Sequence, residues 1–346
     1  MLIIDKKIIV AIFTLIAFCS LKISAQNEGE GKFSGLVFGD WYYFIENHNP
    51  ELKDKRGFWF RRIYATYDYK IDKNFSTRIR LEMSNEGNFT SSVVIVPFIK
   101  DAWLSYSFSN QSLYLGISPT PTFPLLEKIW AYRMIEKTAL DLQRMASTRD
   151  FGLAGLGSFD EEKILQYHVM FSNGSSNKQE IDKGKSALAS LSIHPGKNFV
   201  FQIYGDYADN DGSEDWYTYQ FVAGYISDLF NAGLQYANQN RKVNEAPDIK
   251  LRLASAFAFV NLSENFTLVS RVDKMFDQNP GGENIAFLPF DETAKSTLFI
   301  FAVDWHPIKE VKIIPNVEFI TYSENEAFVT PGNDLVTRLT FYWEFK

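Results

Sequence analysis

The chain has one cysteine, Cys19, in 346 residues, and that cysteine falls in a segment that reads as removable. Lys6 and Lys7 precede an apolar run from Ile8 to Leu21, and Ile23-Ser24-Ala25 closes it on a small residue. This is the pattern of a secretory signal peptide cleaved after Ala25. The run is short of the ~20 residues that a spanning helix needs. Phe18 ahead of Cys19 is too bulky for lipoprotein processing. The expected mature chain, 26–346, therefore holds no disulfide framework and no cysteine metal site. After residue 25 there is no apolar stretch long enough for a transmembrane helix. Blocks of basic residues are also missing. The formal charge is −7, and a leader with three lysines and one aspartate leaves −9 behind, which argues against a nucleic-acid partner.

Aromatic residues, by contrast, make up 16%, with 31 Phe and 17 Tyr. An exported, cysteine-free, aromatic-rich chain without apolar helices has the composition of a transmembrane β-barrel. The pattern agrees. Runs of about 9–14 residues alternate with period two and end on turn signals; "FSGLVFGDWYYFI" (33–45), "FSTRIRLEMS" (75–84), "FVFQIYGDY" (199–207) and "LVTRLTFYWEF" (335–345) are examples, and sixteen such runs are counted, the fourth over 93–108 and the sixth over 150–159. Short connections such as 72–74, 109–111, 195–198 and 308–310 alternate with long polar ones at 46–55, 173–185, 239–248, 277–295 and 323–334. Outer-membrane barrels have short turns at one end and longer loops at the other, whereas a sandwich mixes the two lengths.

One row of each run is apolar. Phe75, Ile79, Leu81 and Met83 oppose Arg78, Arg80 and Glu82; Leu339, Phe341, Trp343 and Phe345 oppose Arg338, Thr340 and Glu344. Sixteen strands enclose a lumen too wide for side chains to fill, so the polar row is expected to face water inside and the apolar row to face outer-membrane lipid. Trp41, Tyr42 and Tyr43, like Tyr217 and Tyr219, fit an aromatic girdle. On this parity the pore-lining cations are Arg62, Lys70, Arg78, Arg80, Lys250, Arg252, Arg271, Lys312 and Arg338. The lumen-facing acids are Asp68, Glu82, Asp101, Asp206, Asp273, Asp304, Glu318 and Glu344. Lys100 falls on the outward row, by a slip of parity or by snorkelling.

Residues 119–149 break the pattern. From Tyr132 the apolar residues follow helical spacing through Ile135, Ala139 and Leu142, with Arg133, Glu136, Lys137, Asp141 and Arg144 opposite. The stretch is the third long connection, it opens on the proline-rich "SPTPTFP", and it is too charged to meet lipid. It reads as a partly helical constriction loop folded into the pore, with an outside cap as the other reading.

With these residues in place the chain resembles the bacterial porins. "GFWFRRIYATYDYKIDKNFSTRIRLEMS", "IKDAWLSY", "LGISPTP" and "STRDFGLAGLG" are similar in order and type to the phosphate-selective porin O/P family, over residues 56–157. The C-terminal "RLTFYWEFK" is similar to the aromatic last strand of bacterial barrels, with Lys346 added after Phe345. The resemblance implies an outer-membrane porin, trimeric in the family's manner, that passes small hydrophilic solutes or ions by diffusion through a charged constriction where a basic wall faces Glu136 and Asp141. Strong phosphate selectivity sits poorly with the near balance of lumen charges. The rival reading is a non-conducting scaffold plugged by the third loop or by a partner protein.

Catalysis and cofactors have no support in the sequence. His48, His168, His194 and His306 lie on separate elements, and Ser192 with His194 gives a Ser-x-His pair without the rest of a hydrolase site. The acidic loops show no distinctive ligand spacing for Ca²⁺.

Overall fold

The computed structural model describes residues 29–346 except 91, 93, 182 and 211–214. The expected signal peptide, 1–25, lies outside the described residues, as does residue 93, where the fourth strand was expected to begin. Sixteen antiparallel strands form a closed barrel in which each pairs with its neighbours in the chain and β1 (Glu30–Glu46) pairs with β16 (Asp334–Phe345). Closure leaves no unpaired strand edge, as a lipid-embedded sheet requires. β6 (Arg149–Ser158) and β9 (Phe199–Ala208) fall within a residue of the expected runs. β4 (Phe98–Phe108) begins after Pro97, which has no N–H to give to a ladder.

The connections alternate as expected. Those at 71–74, 109–110, 159–164, 194–198, 227–229, 264–265 and 309–310 are short, and the others are longer. The outward rows carry two belts of aromatic contacts. Phe33–Phe345 (6.0 Å) and Phe75–Tyr106 (4.9 Å) lie at the short-turn end, and Tyr207–Tyr217 (5.1 Å) and Trp41–Tyr43 (6.3 Å) at the long-loop end. Tyr42 is a correction. It points inward and stacks on Trp59 at 4.0 Å, because its odd-numbered neighbours, not it, hold the outer row.

Part of the lumen is filled by the loop between the fifth and sixth strands. The loop 120–148 between β5 (Gln111–Pro119) and β6 carries two short helices, α1 (Pro124–Trp130) and α2 (Ala139–Leu142). Pro124 starts α1 at no cost in hydrogen bonding, and Ala131, at φ 54°, ends it in the left-handed region. Leu126, Ile129, Trp130, Ile135 and Leu142, all at 0% exposure, pack on Val200, Val222, Phe257, Phe259, Val269, Ile300 and Ile314 of the barrel's inner face. A second cluster joins Phe123, Leu140 and Met145 to Leu251, Leu253 and Met275. At about 1.5–3 kcal/mol for each large apolar side chain buried, these contacts are enough to hold the loop inside.

The packing reaches the wall at Gly224 on β10 (Trp216–Ile226). A Cβ there would lie 2.7 Å from Ile129 Cδ1 and 3.0 Å from Val200 Cγ1. Gly224→Val is expected to push α1 off the wall, by overpacking of about 1–3 kcal/mol, and to make single-channel current noisier without changing barrel assembly on heat-modified gels.

Candidate functional site

On the side of the lumen that the loop leaves open, two strand irregularities decide which side chains line it. β1 pairs β2 (Arg56–Lys70) with Phe38 opposite Arg62 and Gly39 opposite Phe60, so Arg61 is an extra residue. β3 (Phe75–Met83) pairs β4 with Arg80 opposite Asp101 and Leu81 opposite Ile99, so Lys100 is extra. A β-bulge of this kind turns two consecutive side chains to one face. Arg61 and Arg62 therefore both point inward, and so do Lys100 and Asp101. Of the two readings of Lys100, the slip of parity is the one the register shows.

The open wall carries two matched ion-pair units. Glu82 lies between Arg62 (2.9 Å) and Lys100 (3.0 Å). Asp101 lies between Arg80 (3.2 Å) and Arg149, whose Nε donates to its Oδ1. The cations reach water and the acids do not: side-chain exposure is 12%, 10%, 20% and 10% for Arg62, Lys100, Arg80 and Arg149, against 4% and 0% for Glu82 and Asp101. Arg80 also donates to Thr66 Oγ1 (3.0 Å) and lies over Tyr64.

The loop faces this wall with Arg133, which pairs with Glu127 and Asp141 at 2.9 Å each. Burial pushes the Asp141 carboxyl up, but Lys137 and Arg133 outweigh it and hold it below the ordinary carboxylate value. Burial pulls the Lys137 ammonium down, partly offset by Asp141. Together the two sides present six cations and four carboxylates, an excess of two positive charges in a chain whose formal charge is −7.

Toward the long-loop end a cavity of 480 Å³ is lined by Arg62, Lys100, Arg133, Lys137, Asp141 and Arg144 with Tyr204 and Asp206. Toward the short-turn end one of 650 Å³ is lined by Arg78, Trp103, Tyr114, Lys128, His168 and Ser192. Arg78 holds Asp68 through two bonds (2.7 and 3.0 Å). Lys70 and Asp68 share the inward row near that mouth, and Lys312 there binds Asp304 (2.7 Å).

Several expected lining residues are elsewhere. Glu136, expected to face the channel, is fully buried behind the loop. Residues 131–138 are not helical, so the 3.6-residue spacing that placed it outward does not apply. It binds Arg61 (2.6 Å), and burial, which pushes its carboxyl up, is overcome by Arg61 and Lys137, so it is held low. Arg338 and Glu318, at 0% side-chain exposure, pair at 2.8 Å in the same buried group, and Arg338 also reaches Asp40 (3.2 Å) and the Phe287 carbonyl (2.6 Å). Arg271, at 1%, is covered by the loop, where it binds Asp273 and donates to the Lys137 carbonyl. None of these three lines an open pore. Lys250 and Arg252 point outward, because on β12 (Ile249–Ser263) the inward row is Leu251 and Leu253, which pack on the loop. Arg252 instead pairs with Asp277 (2.8 Å) at the outer rim.

No protein-family model and no curated protein matches the sequence. Solved structures do. The anion-selective porin from Comamonas acidovorans superposes with a TM-score of 0.66 at 10% identity, over 92% of this chain and 100% of that one. This is the fold of a bacterial outer-membrane porin. The same porin fold relates the chain to OmpF of Salmonella typhi, solved with daunomycin (TM-score 0.65, 11% identity, 91% of this chain and 97% of that one). It also relates the chain to OmpT of Vibrio cholerae in its trimer form (TM-score 0.61, 11% identity, 92% and 100%).

Proposed function

We propose that the chain is an outer-membrane porin that passes small hydrophilic solutes and ions by diffusion and favours anions. The observation that carries this reading is the arrangement of the two wall carboxylates, each covered between two cations that keep contact with water. A passing ion meets the guanidinium and ammonium groups first, and in a narrow opening with low-dielectric walls that excess is focused rather than averaged away. The likeness to a porin described as anion-selective supports the same direction.

The finer resemblance to phosphate-selective porins belongs to this proposal as well. Its motifs supply the wall: Arg62, Arg80, Lys100-Asp101 and Arg149 all fall within residues 56–157. Guanidinium groups suit oxyanions through paired N–H donors. The chain is further proposed to enter the envelope by a leader cleaved after Ala25, to fold as one barrel over 26–346, and to assemble as a homotrimer, the form in which the Vibrio OmpT was solved.

Purified protein in planar bilayers under a KCl gradient is expected to give discrete conductance steps and a reversal potential of the sign for Cl⁻ over K⁺. A reversal potential of the opposite sign would refute the anion preference. Absence of any conductance would leave the plugged scaffold as the function.

A further inference from the structure

At the long-loop end, on the seam where the barrel closes, His48 of the loop 47–55 meets Glu283 and Asp291 of the loop 276–295 and Asp334 at the start of β16. We propose that His48, Glu283 and Asp291 form a binding site for a divalent transition-metal ion of the Zn²⁺ type, which clamps the outer loops to each other.

The argument starts from Asp334. Its carboxylate is fully buried and accepts from the His48 amide (2.6 Å), from Tyr322 Oη (2.5 Å) and from His48 Nδ1 (2.9 Å). A carboxylate only accepts, so Nδ1 carries a proton, and Nε2 offers its lone pair when the ring is neutral. That nitrogen points at Glu283 Oε1, 2.9 Å away. Asp291 brings a second carboxylate, and the three ligand atoms all lie within 4.8 Å of one another. With the ring neutral, a nitrogen lone pair and two carboxylates face one point; with the ring protonated, Nε2–H donates to Glu283 in an ion pair that a metal ion would replace. A metal ion answers the neutral set directly. Ligands at about 2.0–2.2 Å from one tetrahedral ion stand about 3.3–3.6 Å apart, so Glu283 on its exposed turn would move about half an ångström from its present 2.9 Å to admit the ion.

The surroundings fit. A ligating histidine commonly gives its other N–H to a buried carboxylate, which fixes the ring, and Asp334 does this here. Tyr322 holds Asp334 on one side and accepts from the Asp291 amide (3.2 Å) on the other. Asp291 is turned by its own bonds to Thr293 (2.8 and 2.7 Å). One nitrogen and two oxygens select a borderline ion over Ca²⁺, which takes oxygen only. The His48 side chain is only 4% exposed, while Glu283 at 38% leaves a way in from outside.

The clamped loop matters to the lumen. Within 276–295, Asn279 binds Gln143 (2.8 Å), the Asn284 carbonyl accepts from Arg144 (3.3 Å), and the Phe287 carbonyl accepts from Arg338. A bound ion therefore stiffens the segment against which the constriction loop leans.

The test is metal uptake by the purified full-length barrel, with Zn²⁺ alone in calorimetry and Co²⁺ as a visible-absorbance probe. One Zn²⁺ per chain is expected, with affinity reduced at least tenfold in His48→Asn and in Glu283→Gln, and with the Co²⁺ bands lost in His48→Asn. Asp334→Asn is expected to weaken binding about 10–100-fold without removing a ligand. If His48→Asn does not fold, Glu283→Gln, on an exposed turn, carries the test. No stoichiometric uptake by the unaltered protein, or unchanged affinity in Glu283→Gln, would overturn the site and leave an ion pair in its place.

Discussion

Lys100→Gln together with Arg149→Gln is expected to abolish the preference for anions while leaving the barrel intact. The pair is chosen so that each wall carboxylate keeps one partner: Glu82 retains Arg62, and Asp101 retains Arg80. No buried charge is stranded, so the large penalty for an uncompensated ion does not arise. What changes is the balance at the opening, where six cations against four carboxylates become four against four. A unit charge about 4 Å from a passing ion is worth about 1 kcal/mol in water and more near a protein wall. Removing two units should therefore lower the Cl⁻/K⁺ permeability ratio by about tenfold at low salt. The effect should shrink toward 1 M salt, where the screening length falls to about 3 Å.

The informative control is Lys250→Gln with Arg252→Gln. Both residues belong to the basic wall if strand parity is read from polarity, but both face outward in the fold. The reversal potential of this second variant should match that of the unaltered protein. If it shifted as far as the first variant, the assignment of inner and outer rows on β12 would be wrong.

That contrast shows what the residues reveal on their own. Strand number, closure and the lengths of the connections are all legible, because a half-buried strand has a fixed period of two and turns have their own chemistry. The rule that the polar row faces inward suits strands whose inner face meets water, such as β3, where Arg78 and Arg80 share one row with Glu82. It fails on β12. There the inner face meets the constriction loop, so Leu251, Leu253, Phe257 and Phe259 occupy it and the cations are displaced outward. Arg61 was missed, and Lys100 left between two readings, for another reason. A bulge adds one residue and restarts the count, and Arg61-Arg62 and Lys100-Asp101 carried the signal as adjacent charges on a strand that allows only one of each pair per face. Glu136 was misread because one helical period was assumed across 132–144, while the chain leaves the helix at Ala131 and resumes only at Ala139.

Glu136 is also the centre of the largest expected effect on stability. Arg61→Met should cost about 3–5 kcal/mol, because it strands a fully buried carboxylate. It also removes the donor to the Ile135 carbonyl. Those two contacts hold the non-helical bend 131–138, where the loop has no helix of its own to fix it. The bend should come loose, giving an earlier unfolding transition in denaturant and a larger, noisier single-channel current. Arg61→Met with Glu136→Met should be milder than Arg61→Met alone, since removing both partners of a buried pair leaves no bare charge and adds apolar surface next to Ile135 and Trp130. Asp40 keeps Arg338 (3.2 Å) and the Trp59 indole in both variants, so the difference between them reports on Glu136 alone. If the double variant were as unstable as the single one, stranding of the Glu136 charge would not be the cause, and the lost contacts of Arg61 itself, among them its bond to the Ile135 carbonyl, would be. If the double variant were quieter than the single, the barrel would be using a buried charge pair to fix where the loop turns, with packing supplying most of the energy that keeps it there.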